Sequence, residues 1–222
     1  MQHYNVYRIG SCRTNYVEQK KQHENSFVTN SLKTGFTHTT KEAIQHVKFL
    51  NNELDIEKCD FPLCFRNLID NKDDCVENFK KADVILIEIS SIKLCSDTKG
   101  IYYNTVNIPK YSSSKTEYKL SRMLMTVDEV KSDIQFLKKQ INKPIIFQGH
   151  INLNCNIIPN RQIIDDALKT EKRIINFNSL TDKYELICAL KENNEIDFNH
   201  LNEYGYDLLY NKFMEIVKSI FT

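Results

Sequence analysis

The run Val84-Ile-Leu-Ile-Glu-Ile89 constrains the fold more than any other stretch of this chain. Branched apolar residues at consecutive positions leave no face for water, so such a strand needs cover on both sides. A central parallel strand between two helical layers meets that need. Asn5–Ile9, Pro144–Phe147 and Arg173–Phe177 add three more β-prone runs, and Phe61–Phe65 reads as a further short strand. Helical patterns separate them. Thr39-Thr40 is set to cap a helix carrying Ile44, Val47, Phe49 and Leu50. Asp70–Lys81 reads as a helix, and Thr126-Val-Asp-Glu129 forms a capping box ahead of Ile134, Leu137 and Ile141. Asn160–Lys169, Tyr184–Leu190 and the amphipathic Asn202–Phe221 complete the set. Residues 15–37 and 95–120 read as loops, as does the polar stretch before the last helix. The alternation predicts one α/β domain over residues 1–222, with a parallel sheet between helical layers.

Composition narrows the class. The 30 Lys and Arg nearly cancel the 29 Asp and Glu, so no strong field exists to hold nucleic acid. No apolar run nears the ~20 residues of a membrane span. The amino-terminal residues lack the apolar core and cleavage site of a signal peptide. Seven cysteines, with Cys59-x4-Cys64 as the only close spacing, predict reduced thiols in a cytoplasmic protein rather than a disulfide framework or a metal site. There is no Gly-x-Gly-x-x-Gly, Walker-type loop or His-Glu-x-x-His. His38 and His46 are expected on a solvated loop and helix.

Sites in doubly wound folds lie outside the carboxyl ends of the strands. The first such end is Gly10-Ser11-Cys12-Arg13. Glycine permits a tight turn there. Cys12 then stands at a strand-to-helix junction, where amide N–H groups favour the nucleophilic thiolate. Ser11 is the other candidate nucleophile. Ser90-Ser91 ends the most buried strand, and Gln148-Gly149-His150 ends another, bringing His150 and Asn152 to the same side. Arg161 opens a helix where an anionic group can bind. Before the last helix stands Asp197-Phe-Asn-His200, in which the carboxylate can orient the imidazole and leave its other nitrogen as a base.

Taken together, the small-residue turn after the first strand and Asp-x-x-His before the last helix resemble the SGNH (GDSL-type) hydrolase superfamily. The resemblance implies a three-layer α/β/α sandwich with a flavodoxin-like sheet. It places Cys12 in the position of the family's serine nucleophile, and Asp197 and His200 in those of its acid and base. The family's Gly-x-Asn-Asp block is absent: the third strand ends Glu88-Ile-Ser-Ser91 instead. Gly35 is the one glycine in the region of the second block. The turn is closer to Gly-Ser-Cys branches that include polysaccharide-biosynthesis acyltransferases. The resemblance therefore implies an acyltransferase or esterase acting on a carbohydrate, with acetyl-CoA as a candidate donor and Gly10, Arg13, Ser90, Ser91, His150, Asn152 and Arg161 near the substrate. The alternative is a catalytically silent domain that binds a sugar or a protein partner.

Overall fold

The computed structural model describes residues 3–21, 28–33, 36–65, 72–105 and 120–222. Its main sheet is built from β1 (Tyr4–Ile9), β2 (Val28–Lys33), β3 (Val84–Glu88), β6 (Ile145–Gln148) and β7 (Ile174–Ile175). Their spatial order is β2-β1-β3-β6-β7, every neighbouring pair parallel. The connections reverse direction at β1 and β3, the switch point where doubly wound sheets leave a crevice. The sheet is flavodoxin-like, as expected.

Alternation along β3 feeds two cores. Ile85 and Ile87, with Tyr7, Ile9, Ile145 and Phe147, face α2 (Thr40–Leu50), α4 (Lys72–Lys81), α5 (Val127–Gln140) and α6 (Pro159–Leu168). Val84 and Leu86, with Val6, Ile146 and Ile175, face α1 (Tyr16–Lys21) and α8 (Glu203–Phe221). The three layers of an α/β/α sandwich result. The Thr126–Glu129 capping box is formed, both reciprocal bonds being present. Asn202 caps α8 by accepting from the Gly205 N–H at 2.8 Å. No described helix is long and apolar enough to cross a membrane, and no disulfide joins the described cysteines.

Several elements differ from the sequence reading. The expected loop at 15–37 contains α1 and the edge strand β2. Phe61–Phe65 is a short helix, α3, because its ends meet as i and i+4 neighbours: the Phe61 and Phe65 rings lie 5.9 Å apart and both pack on Phe49. The stretch 95–120 overlaps an antiparallel pair, β4 (Lys93–Ser96) with β5 (Ser121–Leu124); residues 106–119 of it, like Gly35, lie outside the described residues. Tyr184–Leu190 splits into α7 (Tyr184–Ile187) and β8 (Cys188–Leu190). The stretch before the last helix is β9 (Ile196–Leu201), paired antiparallel with β8. His46 is fully buried, not solvated, with its Nε2 3.3 Å from the Tyr7 hydroxyl.

Candidate active site

Beyond β1 the chain turns at once. Ser11 caps a 3-10 turn over Cys12–Asn15, and its hydroxyl accepts from the Arg13 N–H at 3.4 Å. Thr14 closes the turn from the other side, its hydroxyl donating to the Ser11 carbonyl at 2.9 Å. Ser11 is buried, whereas Cys12 is half-buried. Cys12 lies close to the Tyr206 phenol on α8. Burial first, and then the charge of a Cys12 thiolate, push that phenol up.

Glu88 organises this turn from within the sheet. Its side chain is completely buried at the end of β3. One carboxylate oxygen accepts the Ser11 N–H at 2.6 Å, and the other pairs with Nε of Arg13. Burial alone would raise this carboxyl. The Arg13 charge and the bonds from Ser11 outweigh burial and hold it below the usual range. Gly10 makes room: a Cβ there would stand 2.7 Å from the Glu88 Cβ and 2.9 Å from Thr14 Cγ2.

Asp197 and His200 come together because β9 bulges. Ala189 pairs with Asp197 but Cys188 pairs with Leu201, so three extra residues, Phe198–His200, sit against no partner. In a regular strand, residues three apart face opposite ways. The bulge turns them side by side: Asp197 Oδ2 lies 2.7 Å from His200 Nδ1, and Oδ1 accepts the Asn199 N–H at 2.9 Å. Burial raises the Asp197 carboxyl, but the bonds from His200 and Asn199 and the His200 charge together prevail and hold it low. With Nδ1–H given to Asp197, Nε2 is the basic nitrogen, on a side chain 56% exposed.

Two arginines fasten this bulge to the rest of the fold. Arg13 Nη1 donates to the Asn199 carbonyl at 3.0 Å. Arg161, on α6, donates from Nη1 to the carbonyls of Ile151 (2.6 Å) and Phe198 (2.8 Å), and from Nη2 to Asn199 Oδ1 at 2.8 Å. Burial, with Arg13 as the next cause, lowers the Arg161 guanidinium to about 10. The residues flanking Cys12 and His200 are thus joined directly. Among the described residues no hydrogen bond joins the thiol itself to the imidazole.

The remaining sequence candidates are His150, Ser90, Ser91 and Asn152. His150 is buried beside the arginines, with Nδ1 unpartnered. Burial first, then the Arg13 and Arg161 charges, hold its imidazole well below the usual range, so it is neutral. Ser90 and Ser91 give their backbone N–H groups to the His38 carbonyl at 2.8 and 2.9 Å. Asn152 is buried and latches its own loop, donating to Asp165 Oδ2 at 2.7 Å and accepting the Ile158 N–H at 2.8 Å. Sequence reasoning missed Glu88 as an anchor. The available signal was a lone carboxylate inside the most apolar run of the chain. It missed His38 too, which is half-buried with Nδ1 3.2 Å from the Asn104 amide nitrogen. A hollow of about 410 Å3 lined by Lys138, Lys143, Ile145 and Arg173 opens at the amino ends of β6 and β7, away from this cluster.

Residues 4–117 match the family of the TviD N-terminal domain. The matched span holds Gly10–Arg13 and Glu88; Asp197 and His200 lie beyond it. Among solved structures, the crystal structure of an acetyl xylan esterase, AlAXEase, is 15% identical, with a TM-score of 0.43 over 96% of this chain and 98% of that one. No curated protein matches the chain.

Proposed function

The chain belongs to the family of the TviD N-terminal domain, and from that premise we propose that it is an enzyme that adds or removes an acyl group, acetyl foremost, on a carbohydrate. Cys12 is the nucleophile, His200 the base and Asp197 the group that orients the base. The observation that carries this reading is the Asp197–His200 pair at 2.7 Å on a bulge that Arg13, the neighbour of Cys12, holds by its backbone. Ser11 is the weaker nucleophile, because its side chain is buried against Glu88.

The chemistry balances in two steps. The Cys12 thiol passes its proton to His200 Nε2 as Sγ bonds the acyl carbon. The Cys12 backbone N–H donates to the oxyanion, and a donor of this kind is worth about 3 kcal/mol to the transition state. Collapse breaks the bond to the leaving group, which takes the proton from the imidazolium. An acceptor hydroxyl then gives its proton to His200 as its oxygen bonds the thioester carbon, and collapse breaks the bond to Sγ, which takes the proton back from the imidazolium as Cys12 is released. A thioester such as acetyl-CoA suits the first step, since sulfur exchanges for sulfur at nearly equal energy.

The test is the intact mass of the protein after incubation with acetyl-CoA. One added acetyl group, lost in Cys12→Ser and slowed in His200→Ala, supports the reading. Acetyl groups scattered over lysines, with sugar acetylation unchanged in both variants, would overturn it. The absence of a thiol–imidazole hydrogen bond favours a second reading, a silent domain that binds a sugar without turning it over. Sugar binding without acyl transfer in the unaltered protein selects that reading.

A further inference from the structure

Glu88 stands where an apolar residue is expected, and its two oxygens serve different masters. Oε2 holds the turn that carries Cys12, at the Ser11 N–H; Oε1 holds Arg13, whose Nη1 reaches the bulge that carries His200. A fully buried carboxylate is strongly unfavourable unless its oxygens are hydrogen-bonded, and here both are. Glycine at position 10 is what lets the side chain pass.

We propose that Glu88 is a positioning residue that sets the separation of Cys12 and His200, by gripping the nucleophile turn with one oxygen and, through Arg13, the histidine bulge with the other. The role rests on the reading that Cys12 and His200 act together, and among the described residues no hydrogen bond joins Glu88 to either of them. Only a glutamate fills it. Glutamine has a single acceptor oxygen, so its amide N–H groups must face either the Ser11 N–H or the Arg13 Nε–H, donor against donor. Aspartate, one methylene shorter, cannot span both.

Glu88→Gln and Glu88→Asp test this, with Glu88→Gln/Arg13→Met as the version in which no buried charge is left alone. Two readouts are taken. Amide hydrogen exchange needs no activity. It is expected to speed by at least about tenfold over residues 196–201 while β6 and α5 keep their protection. Acetyl transfer is expected to lose about a hundredfold in kcat with KM little changed, as for a misplaced rather than a missing group. If Glu88→Gln fails to fold, the double variant supplies both readouts. Protection lost evenly across the core, or unchanged at 196–201, overturns the proposal. If the unaltered protein transfers no acyl group but 196–201 still loosens selectively, the positioning stands and the functional reading falls. If acetyl transfer is present and kcat survives the loosening, the positioning role falls alone.

Discussion

Arg13 donates from Nη1 to the backbone carbonyl of Asn199 at 3.0 Å, across 186 residues of sequence. The bond joins the first turn of the fold to the bulge of β9. It is directed by Glu88, which holds the same guanidinium at Nε. The Arg13 side chain thus ties the two ends of the candidate site to each other, pairing a buried carboxylate and holding a carbonyl of the bulge that Arg161 also holds.

The two arginines on the bulge are expected to differ in cost. Arg13→Met leaves Glu88 buried without its cation, and loss of one partner of a buried pair costs about 3–5 kcal/mol. Arg161→Met removes bonds to the Ile151 and Phe198 carbonyls and to Asn199. It strands no carboxylate, so about 1–3 kcal/mol is expected. Urea unfolding of both variants gives the comparison. Equal losses would remove Glu88 from the account.

Two glycines are predicted to resist alanine for steric reasons. At Gly10 the added Cβ meets Glu88 Cβ at 2.7 Å; at Gly205 it collides with the Ile187 carbonyl oxygen. Glu88 is a side chain but is pinned at both oxygens, and Ile187 is backbone, so neither yields. Overpacking of this kind costs about 1–3 kcal/mol. Gly10→Ala is expected to lower acetyl transfer as well, whereas Gly205→Ala acts through the docking of α8 on α7. Thermal unfolding and transfer rates measured together separate the two, and an alanine that leaves either protein unchanged removes that contact from the argument.

The sheet's centre was legible because its physics is local. Val84–Ile89 needs cover on both faces wherever it sits, and Thr126 and Glu129 cap one another within a single turn. The edge strand β2 was not legible: Val28-Thr-Asn-Ser-Leu-Lys33 has no continuous apolar run, and an edge strand bonded only to β1 needs none. Five apolar residues at 61–65 fit strand and helix alike, and only the Phe49 ring, distant in sequence, decides for helix. The β8–β9 turn, read from the sequence only as part of a polar loop, places Asn194 at φ +64°, a conformation asparagine tolerates. The Asp197–His200 pair was readable as an Asp-x-x-His spacing. The bulge that pairs Asp197 with His200, and the Glu88–Arg13 link that holds it, depend on partners far apart in the chain and leave no local pattern.

Stability is predicted to form a plateau in mildly acid solution. Burial, opposed by bonds from His38, Thr39 and Asn104, raises the Glu42 carboxyl from its ordinary 4.5 to about 8. Between those values the folded protein holds a proton the unfolded chain has lost, so stability falls as pH rises. Burial lowers the His46 imidazole from 6.5 to about 3. Between those values the unfolded chain holds the extra proton, so stability falls as pH drops. From 4.5 to 6.5 the two slopes oppose; above 6.5 Glu42 acts alone, and below 4.5 His46 does, each at about 1.4 kcal/mol per pH unit. Glu42→Gln keeps the acceptor for the His38 N–H and is expected to flatten the alkaline side. Urea midpoints from pH 4 to 9 check this, and an unchanged alkaline slope in the variant sinks the Glu42 assignment.

Thiol reactivity gives the last prediction. Cys59 is exposed, which favours attack by iodoacetamide, but desolvation and the carboxylates of Asp60 and Glu57 push its thiol up. Cys12 is only half-buried; it opens the 3-10 turn, and Arg13 follows it in the chain. If nearby positive charge governs reactivity, Cys12 is alkylated before Cys59 at neutral pH. If exposure governs it, Cys59 and Cys155 go first. Peptide mapping after brief alkylation distinguishes the orders. Glu88→Gln sharpens the result: freeing the turn from its carboxylate is expected to change the Cys12 rate and leave Cys59 as it was. Labelling of Cys59 ahead of Cys12 in the unaltered protein would remove the activated thiol, and with it the first step of the proposed transfer.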